Sequence, residues 1–181
     1  MHQLEDAKEL FQVVADEKNI PETFVEKDYW IMHCLWGLQQ QGYDFEMKGG
    51  TSLSKGYGII ERFSEDIDIK FQTDSTLKIG PNHVKSKHIQ ERKHYFDTLA
   101  AEINISGFEF SRDHEFDDEK MRNAGIRGNY LTHFQSNEVI KEGVLLEIGF
   151  DNTTPYKEND MSSWAIDKAL DVGVSIIDNR A

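Results

Sequence analysis

The sequence has little cysteine and no long apolar run: Cys34 is the single cysteine, and no apolar stretch reaches 18 residues. One cysteine excludes an internal disulfide and is typical of a protein of the reducing cytoplasm. With one cysteine and seven scattered histidines, the sequence also argues against a structural zinc site. The lack of a long apolar run excludes a membrane-spanning helix, and the amino terminus has no signal-peptide apolar block. We therefore expect a cytoplasmic protein without a membrane partner.

Positive charge is also scarce. The 181 residues include 20 lysines and arginines against 33 aspartates and glutamates, which gives a formal net charge of −13. This charge repels polyanions at long range and argues against broad, nonspecific nucleic-acid binding, but it does not exclude a nucleotide. An apolar content of 38% argues against disorder, and the length suits one folded domain.

Hydrophobic periodicity predicts an α+β protein, with a mixed or antiparallel sheet flanked by helices. A 3.6-residue period or helix-start signals predict helices over 3–18, 21–41, 51–62, 83–103 and 162–172. Alternation predicts strands at 45–47, 66–71, 108–110, 126–134 and 144–150, and a further one from 174 to 177.

A glycine pair and a hydroxyl pair follow the first predicted strand. Gly49 and Gly50 indicate a turn where the backbone approaches something closely, and Thr51 or Ser52 is predicted to cap the next helix. A capped helix start after glycines presents free backbone N–H groups, and these attract phosphate. Taken alone, a Gly-Gly turn is common and needs no function.

An acidic pair lies on the second predicted strand. Asp66 and Asp68 alternate with apolar residues, so their side chains project from the same face with their roots about 7 Å apart. They can converge on one divalent cation, and magnesium takes its remaining ligands from substrate phosphates. An Asp-x-Asp strand alone is often only a solvated face, but together with the glycine turn it predicts a site for a metal-bound nucleotide.

These residues also carry a family resemblance. Lys-Gly-Gly-Thr-Ser-Leu-Ser-Lys at 48–55, followed by Arg-Phe-Ser-Glu-Asp-Ile-Asp at 62–68, resembles the signature of the AbiEii family of nucleotidyltransferase toxins. This family belongs to the DNA polymerase β-like nucleotidyltransferase superfamily. The resemblance implies one polymerase β-like domain over residues 1–181 with N-terminal helices, and it implies that the family's C-terminal helical half is absent from this chain.

Glu147 is the candidate third carboxylate. It lies between Leu146 and Ile148 in an otherwise apolar strand, where a charge is costly unless it is paired or bound to metal. The resemblance implies the same role, because superfamily sites use a third carboxylate from a neighbouring strand. The alternatives are a glutamate that simply emerges at the sheet face, and Asp151 in its place.

The resemblance further implies roles and ligands. Asp66, Asp68 and Glu147 are the catalytic and metal-binding candidates, with Mg²⁺ or Mn²⁺ as cofactor. The candidate phosphate-binding residues are Gly49, Gly50, Thr51, Ser52, Lys55, Arg62 and Ser64. The implied partners are a nucleoside triphosphate, an RNA (tRNA) or protein acceptor, and the cognate antitoxin of a bacterial toxin–antitoxin or phage-exclusion system.

Two other functions stay open: a kinase-like phosphotransferase with the same metal site, and a non-catalytic nucleotide-binding or protein-interaction module.

Two charged helical segments are interpreted as solvated. Glu26-Lys27-Asp28-Tyr29-Trp30 resembles a segment that precedes the glycine motif in AbiEii-like proteins, but charges on a helix usually face solvent, so we leave it out of the site. The helix 83–103 carries the chain's only basic cluster, which faces solvent or holds the phosphates of an acceptor. Its members are Lys85, Lys87, His88, Arg92, Lys93 and His94.

Overall fold

The computed structural model describes residues 1–60, 63–73, 77–80, 82–135, 140–151, 153–176 and 181. The helices are α1 (Ala7–Lys18), α2 (Glu22–Gln40), α3 (Gly49–Thr51), α4 (Ser86–Glu102) and α5 (Trp164–Asp171). The strands are β1 (Phe45–Lys48), β2 (Asp66–Phe71), β3 (Phe108–Asp113), β4 (Asn123–Tyr130) and β5 (Val144–Gly149). A π-helical turn (Ser52–Gly56) continues α3, and a 3-10 helix (His114–Phe116) follows β3. The predicted α+β class is confirmed.

The five strands form one mixed sheet in the order β1-β2-β5-β4-β3. β2 and β5 are parallel, and the other three pairs are antiparallel. A parallel pair needs a crossover, because one strand must return to the starting edge of the other. Here the crossover contains α4, β3 and β4, so β5 is inserted between strands that precede it in the chain.

The sheet has an apolar face and a polar face. Ile67, Ile69, Leu146 and Ile148 project from the apolar face and are buried. Full burial of each such side chain contributes about 1.5–3 kcal/mol to stability. Trp30 of α2 stacks on Tyr130 of β4, with ring centroids 4.6 Å apart, and Phe96 of α4 contacts Phe150 at 5.6 Å. α2 and α4 therefore cover the apolar face, which leaves the polar face to carry chemistry.

α2 is the central helix of the helical layer. α1 and α5 pack against it and against each other, and every residue of α2 from 25 to 35 is buried. This burial includes Glu26, Lys27 and Asp28, which are 1%, 0% and 0% exposed. The interpretation that these charges face solvent is therefore wrong. Among the helices that the structure describes, none combines the length and apolar character needed to cross a bilayer.

Several element boundaries differ from the prediction. The helix predicted over 51–62 begins as α3 at Gly49, and its π-helical continuation ends at Gly56. α4 begins at Ser86, and β4 ends at Tyr130, before residues 131–134 of the predicted strand. No strand forms over the described residues 174–176.

The basic cluster of α4 divides into exposed and buried members. Lys85, Lys87 and Lys93 are exposed, whereas Arg92 is 1% exposed. The Arg92 guanidinium donates to the carbonyl oxygen of His83 at 2.9 Å and to that of Lys120 at 2.9 and 2.7 Å. It lies 3.4 Å from the carbonyl oxygens of residues 79 and 80 as well. Arg92 therefore joins the loop before α4 to the connection between β3 and β4. His88 is buried too, at 5% exposed, so the solvated interpretation is wrong for both residues.

We expect Arg92→Met to lower the free energy of unfolding by about 3 kcal/mol or more, because several buried carbonyl oxygens lose their donor. Urea denaturation measures this change. Lys93→Met is the matched control, since the exposed neighbour should change stability by less than about 0.5 kcal/mol. Equal effects of the two substitutions would show that the Arg92 contacts contribute little.

Candidate active site

β2 and β5 bring the three predicted carboxylates to one face of the sheet. Asp68 pairs in register with Glu147, and Asp66 pairs with Leu145, so Asp66, Asp68 and Glu147 all project from the polar face. The three residues that the sequence predicts therefore share one face of the sheet, although α4, β3 and β4 separate Glu147 from the other two in the chain. Asp151, the rival to Glu147, lies beyond the end of β5, and its side chain is 72% exposed.

Two of these carboxylates have raised pKa values, because their surroundings disfavour the charged form. Burial raises the pKa of Asp68 above its ordinary value, the Lys48 ammonium opposes this, and the Asp66 charge adds to it. Burial likewise raises the pKa of Glu147, and the charges of Asp68 and Asp66 raise it further. Carboxylates whose charged forms are disfavoured by burial and by neighbouring negative charge attract a cation.

Two lysines partly balance the cluster. Lys48 lies opposite Asp68 in β1 and pairs with Asp151 at 3.1 Å. The Lys141 ammonium lies 3.6 Å from Asp66 Oδ2, and its backbone N–H donates to Glu65 Oε2 at 2.9 Å. Both lysines oppose the rise in the pKa of Glu147. Sequence reasoning missed Lys141, whose only sequence signal is its position just before β5.

The donor chemistry suits a hard divalent cation. The candidate ligands are all carboxylate oxygens, which Mg²⁺ prefers. Asp66 Oδ1 is buried and has no hydrogen-bond partner among the described residues, so its lone pairs are available. Within the same part of the chain, no three His, Cys, Asp or Glu side chains already converge as a metal cluster. The carboxylates suit Mg²⁺ by their oxygen chemistry and shared face, although the described residues do not bring three of them together as a ligand group.

The glycine turn lies directly against the acidic strand. Gly49 has a φ of 67°, and a Cβ added there would lie 1.9 Å from Asp68 Oδ2. Gly50 and Thr51 complete α3, and the buried Thr51 hydroxyl donates to the carbonyl oxygen of Asp66 at 2.6 Å. The prediction that Thr51 or Ser52 caps the helix is wrong, because Lys48 holds the N-cap position and its side chain makes no capping hydrogen bond. The Thr51 hydroxyl instead joins the turn to β2.

The other predicted phosphate ligands lie around two cavities. Ser52 lines a cavity of about 580 Å³ beside β1. Lys55 and Ser64 line another of about 270 Å³, together with Asp28. The Lys55 ammonium pairs with the buried Asp28 carboxylate, so its phosphate-binding role stays a prediction. Arg62 lies outside the described residues.

The buried charges of α2 hold the segments that flank the site. The Glu26 carboxylate accepts hydrogen bonds from the backbone N–H and Nδ1 of His133, at 2.9 and 2.8 Å. The Lys27 ammonium donates to the carbonyl oxygens of Lys141, at 2.9 Å, and of Gly143. Burial lowers the pKa of Lys27 to about 8. Sequence reasoning missed these contacts, although the signal was present: charges inside a helix that is apolar almost all round.

We expect Gly49→Ala to destabilise the protein more than Gly42→Ala does. Both glycines have positive φ, so each alanine costs about 1–2 kcal/mol of backbone strain, but nothing lies within 4 Å of a Cβ at Gly42. At Gly49 the new methyl also displaces the Asp68 carboxylate. Urea denaturation of both variants and of Gly49→Ala/Asp68→Ala tests this, because the double variant should return toward the Gly42→Ala cost. Equal losses for the two single variants would contradict the close approach.

We expect Asp68→Asn and Glu147→Gln to stabilise the cation-free protein near neutral pH. A carboxylate whose pKa rises on folding costs stability above its folded pKa, and this cost vanishes as the pH falls below its ordinary value of about 4. The gain should therefore shrink between neutral pH and about pH 4. Urea denaturation with a chelator measures it, with exposed Glu109→Gln as control. A gain that is absent or independent of pH would disprove the electrostatic account.

The comparisons with known proteins agree with this architecture. One family model matches the chain, over residues 30–175. It is the model of the nucleotidyl transferase AbiEii toxins, which belong to type IV toxin–antitoxin systems. This range contains the glycine turn, both acidic strands and α5. No curated protein and no solved structure matches the chain. Since the match covers most of its length, the chain belongs to the AbiEii family of nucleotidyl transferase toxins of type IV toxin–antitoxin systems.

Proposed function

We propose that the chain transfers a nucleoside monophosphate from a nucleoside triphosphate to a hydroxyl group of an acceptor, in a reaction that depends on Mg²⁺ or Mn²⁺. The acceptor is an RNA such as tRNA, or a protein. The observation that carries the proposal is the contact between the glycine turn and the acidic strand, where Gly49 leaves no room for a Cβ beside Asp68. Such a contact lets one ligand meet backbone N–H groups and carboxylates together, as a cation-bound phosphate does.

The carboxylates have distinct roles in this proposal. Asp66 and Asp68 hold the divalent cation, and Glu147 completes the set on the neighbouring strand. When bound, the cation neutralises charge on the phosphate oxygens and on the departing pyrophosphate. We assign Glu147 the further role of base, in which it takes the proton of the acceptor hydroxyl.

The proposed transfer forms one bond to the α-phosphorus and breaks another. The acceptor oxygen bonds to the α-phosphorus, and the bond from that phosphorus to the oxygen bridging to the β-phosphorus breaks. The bonding electrons leave with pyrophosphate, and the proton of the acceptor hydroxyl passes to Glu147. The turn formed by Gly49, Gly50, Thr51 and Ser52 accommodates the β- and γ-phosphates. Lys48 and Lys141 flank the carboxylates and supply counter-charge, and Lys55, Arg62 and Ser64 remain candidate phosphate contacts.

The family also supports a biological setting for this chemistry. Membership of a type IV toxin–antitoxin family supports the proposal that the chain is a toxin, and that a cognate antitoxin opposes its action in a bacterial cell. We infer that this antitoxin is a functional partner of the chain. Transfer to an essential acceptor then accounts for toxicity.

We expect label from an α-labelled nucleoside triphosphate to appear on cellular RNA or protein in the presence of Mg²⁺. Asp66→Asn and Asp68→Asn should each lower the rate by more than about 100-fold, since each removes a charge-stabilising group from the reaction centre. The matched control is Asp44→Asn, an exposed acidic residue just before β1.

Each other result has a definite meaning. Label transferred only from the γ-position would replace nucleotidyl transfer with kinase chemistry. Nucleotide binding without transfer from either position would identify a binding module. Full activity in Asp68→Asn would disprove the assigned site.

A further inference from the structure

Asp28 is a carboxylate that the proposed chemistry does not use. It is 0% exposed. Its Oδ2 accepts the backbone N–H of Trp164 at 2.8 Å, and its Oδ1 pairs with the Lys55 ammonium. Burial raises the pKa of Asp28, and Lys55 opposes this rise. Separating the two partners of such a pair would leave an uncompensated buried charge, which is costly. Asp28 and Lys55 are therefore held against each other.

Lys55 belongs to the π-helical turn that continues the glycine turn. Its side chain is 18% exposed, and its ammonium also donates to the carbonyl oxygen of Ser162 at 3.3 Å. It lies 4.5 Å from the centroid of the Trp164 ring, within the range of a cation–π contact. The ammonium is therefore held by several neighbours, and Asp28 is the one that carries the opposite charge.

The segment 49–56 is consequently fixed near both ends. Near its start, the Thr51 hydroxyl donates to the carbonyl oxygen of Asp66, in the strand that carries the acidic pair. Toward its end, Lys55 pairs with Asp28 of α2. The part of the segment over Ser52–Gly56 is a π-helical turn, a rare conformation that is frequent at functional sites. The shape of such a turn depends on external contacts of this kind.

We propose that Asp28 is a positioning residue: acting through Lys55, it fixes the segment 49–56 against β2 and so sets the shape of the phosphate-binding turn. The part that concerns phosphate rests on the proposed function, whereas the fixing of the segment is measurable without any nucleotide. A purely structural role would make Asp28 only the partner of the Trp164 N–H at the start of α5. In that case the variants of Asp28 and Lys55 would act independently.

Hydrogen exchange of the ligand-free protein tests the fixing directly. In Asp28→Asn, the amides of 49–56 should exchange about tenfold faster, which corresponds to about 1.4 kcal/mol of lost local stability. Lys55→Met should do the same, and Asp28→Asn/Lys55→Met should add nothing further, because both charges act through one contact. Glu17→Gln is the control: Glu17 also pairs with α5, through Lys168, but its side chain is 52% exposed.

A change confined to α5, or unchanged exchange over 49–56, would overturn the proposal. Additive effects in the double variant would overturn it too, since they would mean that Asp28 does not act through Lys55. Should Asp28→Asn fail to fold, Lys55→Met and the double variant supply the comparison. The neutral double variant is expected to fold, because replacing a buried ion pair by uncharged residues is often tolerated.

Kinetics with ATP and Mg²⁺ separates this inference from the proposed function. Asp28→Asn should raise the KM for ATP about tenfold and change kcat by less than about threefold, since only the phosphate-binding turn is loosened. Absence of transfer by the wild-type protein would disprove the proposed function and leave the exchange result as the test of Asp28. Normal transfer with an unchanged KM in Asp28→Asn would disprove the positioning role alone.

Discussion

A charged group inside a protein needs a partner, and α2 carries three such groups in succession. Glu26, Lys27 and Asp28 are all buried, and the polar groups of a different segment bind each of them. An unpaired charge at such a position costs several kcal/mol, so each segment is held where its partner requires it. The three segments follow β4, precede β5 and continue the glycine turn, and the last two adjoin the carboxylates. The central helix and the candidate site are therefore built as one unit.

The polar face of the sheet presents the opposite constraint. Asp68 and Glu147 are neighbours across parallel strands, and the negative charge of Asp68 adds to the burial that raises the pKa of Glu147. Lys48 and Lys141 oppose this rise, so they supply part of the counter-charge that the carboxylates need. Burial of large side chains on the apolar face, such as Ile69, contributes stability that does not depend on these charges. The stability of the apolar face therefore permits a cluster that is unfavourable without a cation.

The sequence predicts those parts of the site that depend on local patterns. Alternation placed Asp66 and Asp68 on one face, and the cost of an isolated buried charge identified Glu147 as the third carboxylate of that face. Lys141 was missed because its approach to Asp66 depends on parallel pairing between distant strands. The capping rule failed at Thr51 for a similar reason, since its hydroxyl bonds to a strand that follows later in the chain.

The charges of α2 were misread for a different reason. The expectation that helical charges face solvent holds for a helix with one exposed side, whereas α2 is enclosed by the sheet and by α1 and α5. The run Tyr29 to Leu35, which is apolar apart from His33, signals such enclosure. Charges beside an apolar run of this kind are better interpreted as buried and paired than as solvated.

The register of β5 determines whether the carboxylates meet at all. A shift of one residue would turn Glu147 to the apolar face and bring Leu146 beside the acidic pair. β4 fixes this register from the other side, where Gly125 lies opposite Glu147. A Cβ at Gly125 would lie 2.6 Å from the carbonyl oxygen of Asp113, so close strand packing requires glycine there. Glycine at 49 thus lets the turn approach the Asp68 carboxylate closely, and glycine at 125 lets β3 and β4 pack closely opposite Glu147.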